Sequence, residues 1–554
     1  MIFGKIASAC YLQKKLQGRK EDSSGRLFLV IPVIIVLGLV LTLGGARGGR
    51  AEEVSVFEDP REPRIRSKID EFVFAKLKEL GIQPARPCSD AVFIRRVYLD
   101  LIGTLPTEDE VREFLADSSP DKRERVIESL FHRREFADFW TLRWGDVLRI
   151  KSEFPINLWP NAVQAYARWL WAAIAENMPY DKFARELLTS SGSNFRVPPV
   201  NFYRAVPDRS PKGLATAVAL TFMGCRADRW PPEKLEQMAV FFSQVSYKKT
   251  GEWKEEIVVW DPIHAAAEQG GPLPTRAVLP DGTEVSLPPD RDPREVFADW
   301  LIRPENPWFA RVVVNRIWAW LLGRGIVHEP DDFRPDNPPV IPELLDYLAK
   351  ELVDSGYNLR HIYKLICNSQ TYQLSPIPRS SHPDGAKYFA SYPLRRLEAE
   401  VLIDAIDQIT GTAEDYWSMI PEPYTIVPEW ERSISLADAS ITSTFLELFG
   451  RPPRDTGYFS ERISRVTAGQ RLHLLNSSHI LKKIQQGPGL AFARSASNPR
   501  EAIERLYLRI LSRYPTAEEI AEARNLAGSG FRRTVDLTDL VWALINSSEF
   551  LYRH

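Results

Sequence analysis

The sequence predicts a mainly α protein: two helical domains joined by a small β-hairpin-containing segment, with an N-terminal transmembrane helix. Three observations predict it. Apolar residues recur at helical spacing over most of the chain beyond residue 65. Alternation replaces that period only between Gly251 and Pro293. Leu27 to Leu43 carries no charged residue, and extended to Ala46 the stretch approaches the ~20 residues that cross a bilayer.

In order, residues 1–26 form a basic tail containing Lys5, Lys14, Lys15, Arg19, Lys20 and Arg26. The positive-inside bias leaves this tail in the cytoplasm and the rest outside, periplasmic or extracellular. Residues 27–46 read as the anchor. Cleavage after the small residues Gly44-Gly45-Ala46, or near Ala51, is the alternative reading. Residues 47–64 are charged and proline-bearing, a linker. Residues 65–250 form the first helical domain, opening with Ile69, Phe72, Val73, Leu77 and Leu80 on one face and Gly81 as the stop. Thr107-x-x-Glu110 is a capping box, and Ser119-Pro120 marks the next helix start.

Helical periodicity runs to about Lys248. Residues 251–292 then form the β segment. Ile257 to Trp260 is strand-like, and Ala277-Val278-Leu279 and Val285-Ser286-Leu287 flank a Pro280-Asp281-Gly282-Thr283 turn. Residues 293–554 are the second helical domain, with helices expected at Val312 to Leu322, Pro342 to Asp354, Leu359 to Tyr372 and Leu394 to Ile409. One internal echo stands out. Arg96-x-Tyr98-Leu99 followed by Pro106-Thr107-x-x-Glu110 recurs at identical spacing as Arg505-x-Tyr507-Leu508 and Pro515-Thr516-x-x-Glu519. Glu135-Phe136 and Glu549-Phe550 follow the two copies, which read as a duplicated three-helix unit.

With 71 basic against 73 acidic residues, the net charge of −2 provides no field for nucleic acid. Cys10, Cys88, Cys225 and Cys367 are scattered singly, so neither a zinc knuckle nor a covalent haem has its cysteine pair. Beyond the hydrophobic stretch, one disulfide with a free thiol or three buried thiols are both open. No metal site and no cofactor are expected.

The stretches Ile69-Asp70-x-Phe72-Val73, Ile94 to Gly103 and Pro179 to Phe183, then Val314-Asn315-Arg316-Ile317-Trp318, Asp331-Asp332-Phe333, Pro342 to Asp346, Arg395-Arg396-Leu397-x-Ala399-Glu400 and Leu472 to Asn476, form a constellation. It resembles the planctomycete cytochrome-associated pair of domains of unknown function over residues 65–554. The resemblance implies a cell-surface role, in polysaccharide use, and no settled chemistry. Relatives often carry C-x-x-C-H-x-H where this chain reads Cys225-Arg226-Ala227-Asp228-Arg229-Trp230. That departure argues against haem or metal redox chemistry in this member.

The candidate binding residues are Asn315, Arg316, Arg324, Asp331, Asp332, Arg395, Arg396 and Trp159. Guanidinium forks suit anionic sugar groups and equally suit interdomain salt bridges. The acidic loop around Asp331-Asp332 offers oxygen ligands for a hard cation, or turn caps. Trp140, Trp144, Trp159, Trp169 and Trp171 suit a sugar-stacking cleft, although helical spacing also explains the first two as core. No catalytic residue is assigned. The leading expectation is an extracytoplasmic, membrane-anchored binding or scaffold module, with polysaccharide or surface-protein partners and no nucleic acid. The alternative is a glycan hydrolase using Asp100, Asp146 or Asp331-Asp332, with a redox component last.

Overall fold

Ser67 starts the first helix, Lys68–Glu79: its hydroxyl accepts from the Asp70 amide while the Asp70 carboxylate accepts from Ser67 N at 3.0 Å. Ile69, Val73 and Leu77 bury on one face, and Gly81 leaves the helix at φ +68°. The computed structural model describes residues 55–494, 498–526 and 534–554. The expected anchor or signal segment at 27–46, its basic tail and the start of the linker lie outside them. Among the described residues no helix is long and apolar enough to cross a membrane.

About 52% of the chain is helical, so the mainly α expectation stands. The strands are few and short. β1 (Gly192–Ser193), β2 (Val245–Lys249) and β3 (Glu256–Trp260) form an antiparallel sheet in the order β1-β3-β2. β4 (Arg276–Val278) and β5 (Glu284–Ser286) close the expected hairpin, with Ala277 opposite Val285. β6 (Arg395–Arg396) pairs antiparallel with β7 (Tyr552–Arg553). Four boundaries differ from the sequence reading; the helix expected from Val312 begins at Phe309. Val245–Lys249 is a strand rather than a helix end, because it pairs with β3. The helix expected from Leu394 begins at Ala399, because Arg395 and Arg396 are held by β7. The helix from Leu359 ends at Asn368.

The internal echo is structural. Thr107 caps Glu108–Ala116, with the Glu110 carboxylate accepting from Thr107 N at 2.7 Å. Thr516 precedes Ala517–Leu526 in the same way, with Glu519 accepting from Thr516 N at 2.9 Å. In the first unit Arg133 bridges Glu110 and Glu135 and lies over the Tyr98 ring. In the second, Arg513 bridges Glu519 and Glu549 and lies over Tyr507. The two arginines enter from different places in the chain, yet build the same quartet. The units also touch, through Arg505 and Glu108 at 3.1 Å.

Both helical stretches feed one continuous core running from Ile69 to Phe550. Buried charges staple them together. Asp70 accepts from Gln370 N, Thr371 N and the Thr371 hydroxyl. Arg95 donates to the carbonyls of Ile510 and Phe550, and Arg96 to those of Tyr372 and His554. Asp100 accepts from Arg553 at 2.6 Å and from the Tyr372 and Tyr392 hydroxyls at 2.8 Å. Cys88, Cys225 and Cys367 are three free, buried thiols, which resolves the cysteine alternatives.

Candidate functional site

The helix Arg134–Leu148 presents Arg143, Asp146 and Val147 to a cleft of about 280 Å3. Its other walls come from Trp320 and Gly323 at the end of Phe309–Leu322, from Leu394–Ala399, and from Phe449 to Val466. Gly323, at φ +70°, lets Arg395 lie across the helix end: a Cβ there would stand 2.4 Å from Arg395 Cδ. The lining mixes apolar surface (Trp320, Leu394, Phe449, Phe459, Ile463) with four guanidiniums and two carboxylates: Arg143, Arg395, Arg396 and Arg462 against Asp146 and Glu398.

The carboxylates are tightly held. Asp146 accepts from Arg454 at 2.8 Å and Arg462 at 2.7 Å. Glu398 accepts from Arg143 at 2.8 Å and lies 2.6 Å from Arg553. Burial alone would favour the neutral acids. The facing arginines override it, so both carboxyls titrate below the usual carboxylate range. Arg462 also bonds Glu400. Burial lowers Arg143 to about 10 despite Glu398 beside it, which leaves it charged at neutral pH. Arg396 is different. Its guanidinium donates only to the carbonyls of Leu397, Phe449 and Ile463, and no described carboxylate lies within ion-pair distance of it.

Two ionised carboxylates, each capped by guanidiniums, offer no general acid, and a hydrolytic pair needs one. Among the described residues no group of three or more His, Cys, Asp or Glu is placed to hold a metal ion.

Of the residues singled out in the sequence, the structure brings Asp146, Arg395 and Arg396 into the cleft. Asn315 and Arg316 are fully buried. Asn315 exchanges bonds with the Val327 backbone, and Arg316 caps the carbonyls of Leu220 and Thr221 while pairing with Asp331 at 2.9 Å. Neither offers a face to a ligand, because each satisfies backbone groups that burial would otherwise leave unpaired. Asp331 also accepts from Phe459 N, so it positions one cleft residue. Asp332 pairs with Arg334 at 3.2 Å. Arg324 is half-buried, with burial depressing its pKa and Glu329 opposing. Neither Arg324 nor Asp332 lines the cleft. Trp140 and Trp144 are core, and Trp171 donates to Asp138. Trp159 stands apart, half-buried and ringed by Trp253 and Tyr424. Sequence reasoning missed Arg143 and Arg462. The Glu461-Arg462 dipeptide was the available signal for the second, and nothing local marks the first.

Residues 68–244 match the family PSCyt2, described as a protein of unknown function (DUF1549). Residues 293–527 match PSD1, described as a protein of unknown function (DUF1553). No curated protein and no solved structure matches the chain.

Proposed function

We propose that this chain, in which the two paired domains of unknown function build one cleft, is an extracytoplasmic binding module anchored through residues 27–46. Its ligand is a surface polysaccharide, taken through an anionic substituent such as a carboxylate or sulfate. The observation that carries the reading is Arg396, a cleft guanidinium with no carboxylate partner, in a lining where guanidiniums outnumber carboxylates. A positive excess between apolar walls focuses the field on an incoming anion, and a planar fork suits carboxylate and sulfate oxygens. The apolar wall residues suit the carbon faces of sugar rings. The sequence supports the location, through its uncharged stretch and the basic residues before it.

The test is titration calorimetry of the purified protein with oligogalacturonate and with a neutral cello-oligosaccharide of equal length. The acidic oligomer binds in a mode that weakens as salt rises, and the neutral one has no such salt-sensitive mode. Arg396→Gln weakens binding by about tenfold, the loss of one charge-assisted contact worth ~1.4 kcal/mol. Glu398→Gln, which removes a competing negative charge, strengthens it. That opposite sign separates recognition from unfolding. Binding of the acidic oligomer that does not weaken with salt, or weaker binding by Glu398→Gln, would overturn the reading.

A further inference from the structure

A second surface lies outside the cleft. Three aromatic rings converge there from three distant segments: Trp159 before the helix Pro160–Ala175, Trp253 between β2 and β3, and Tyr424 from the loop after Gly411. Trp159 meets Trp253 at 6.4 Å with ring planes at 82°, and Tyr424 at 5.7 Å with planes at 57°. The rings therefore form a cornered cradle and not a flat stack. Core packing does not account for it, since Trp253 remains 68% exposed and Tyr424 55%. The backbone that delivers the rings is itself unusual. Asn157, Trp159 and Lys254 all adopt positive φ without being glycine, at 58°, 73° and 62°. Such conformations persist where the surroundings enforce them, and they gather at ligand clamps.

We infer that Trp159, Trp253 and Tyr424 form a saccharide-stacking platform for the pyranose rings of a neutral polysaccharide chain. The inference goes beyond the arginine cleft, because it concerns ring faces and not charge. The axial C–H face of a pyranose is apolar and rigid, so laying it on a preformed aromatic ring removes water from both at little ordering cost. Asn157, two residues before Trp159, and Glu252, next to Trp253, are both exposed and of the polar types that pair with hydroxyls. Lys254 Nζ sits 5.1 Å from the Trp159 ring and 5.4 Å from Trp253. That places the cation against the aromatic rings, and the exposed Glu252 and Glu422 nearby in sequence leave the platform no positive excess to select for anions. A bilayer is the rival occupant, since Trp and Tyr also favour lipid interfaces. Glu252 and the exposed Glu422, two residues before Tyr424, disfavour an anionic bilayer and accept from sugar hydroxyls.

The experiment is affinity electrophoresis of the full chain in mild detergent through gels cast with soluble xylan, glucomannan, laminarin or dextran. Flotation with phosphatidylglycerol vesicles runs in parallel. Retardation is expected in at least one of the four gels, unchanged by added salt. The double variant Trp253→Ala/Tyr424→Ala should lose it at least tenfold, and Lys254→Gln should retain it. Both deleted rings are mainly exposed, so near-native thermal unfolding confirms that the variant is folded. The variant Arg396→Gln leaves this retardation intact, so the cleft and the platform fail or stand separately. No retardation in any gel, full retention by the double variant, or a double variant that loses only vesicle binding would each overturn the inference.

Discussion

Replacing Asp100 by Asn tests whether the buried carboxylate at the centre of the fold holds its halves together. Asp100 is 2% exposed. One oxygen, Oδ1, accepts from Arg553 Nη1 at 2.6 Å and lies 3.5 Å from Arg395 Nη2. The other, Oδ2, accepts from the hydroxyls of Tyr372 and Tyr392, each at 2.8 Å. An Asn side chain can keep its carbonyl toward the guanidiniums. Its amide then faces two phenols whose hydrogens need new acceptors; Tyr392 has the Leu321 carbonyl at 3.3 Å, and Tyr372 has only the weakly accepting Cys367 sulfur beside it. The larger loss is the charge. Arg553 retains Glu398 at 2.6 Å, but Asp100 is the one carboxylate within ion-pair distance of Arg395 among the described residues. Breaking one side of a buried pair typically costs ~3–5 kcal/mol, and Asn keeps some hydrogen bonding, so we expect about 2–4 kcal/mol. Against a typical total of ~5–15 kcal/mol, that is a large shift in the urea midpoint, followed by tryptophan fluorescence. Adding Arg395→Met should cost less than in the wild-type background, by about 1–2 kcal/mol, because the orphaned cation is then gone. A loss below ~1 kcal/mol, or strict additivity of the two changes, would show that water enters and the hub does not bear on stability.

The duplicated caps give a second expectation: Thr107→Ala and Thr516→Ala should each cost about 1 kcal/mol in urea unfolding, and a loss at one site only would break the equivalence of the units. The third concerns pH. Glu398 titrates below its ordinary value in the folded protein, so the unfolded chain binds the proton more tightly. Its stabilisation is therefore fully present above the unfolded value of about 4.3 and is lost as pH falls below it. Unfolding free energies measured along the acid limb should be flatter in Glu398→Gln than in the wild type, and identical slopes would sink the assignment.

Much of the helical framework was legible because its causes are local. The Thr107 and Thr516 starts, the Gly81 stop and the apolar face from Ile69 to Leu77 all act within one or two turns. The turn at Pro280 to Thr283 is local too. What escaped depends on distant partners. Arg395 and Arg396 read as helix because Leu394 to Ile409 keeps helical spacing, and their strand exists only through Tyr552 and Arg553. Charge was the other blind spot. Asn315 and Arg316 read as ligand groups, since arginine is rarely buried without a partner, yet their partners are backbone groups and the Asp331 carboxylate, which no local pattern reveals. Of the five clustered tryptophans, only Trp159 joined an exposed group, and both its neighbours come from elsewhere in the chain.

The residues that carry the family resemblance divide by what they touch. Asp70, Arg95, Arg96, Asp100, Asn315 and Arg316 bond backbone groups or the side chains of other buried residues, and all are buried. Arg395 belongs to both classes, because Nη2 faces Asp100 and the Trp320 and Leu321 carbonyls accept from its fork, while its stem lines the cleft beside Arg396. The cleft is thus the place where the central charge network reaches solvent. Its positive excess follows from that network: Asp100 and Glu398 are shared among three arginines, Arg395, Arg553 and Arg143, so the guanidiniums at the edge outnumber the carboxylates available to them. An anion entering there would complete charge pairing that the fold leaves unfinished, and it would do so on groups fixed by buried hydrogen bonds and not by loops. That rigidity lowers the ordering cost of binding. It is also why the cleft, rather than the acidic loop at Asp331-Asp332, offers the better site for a ligand.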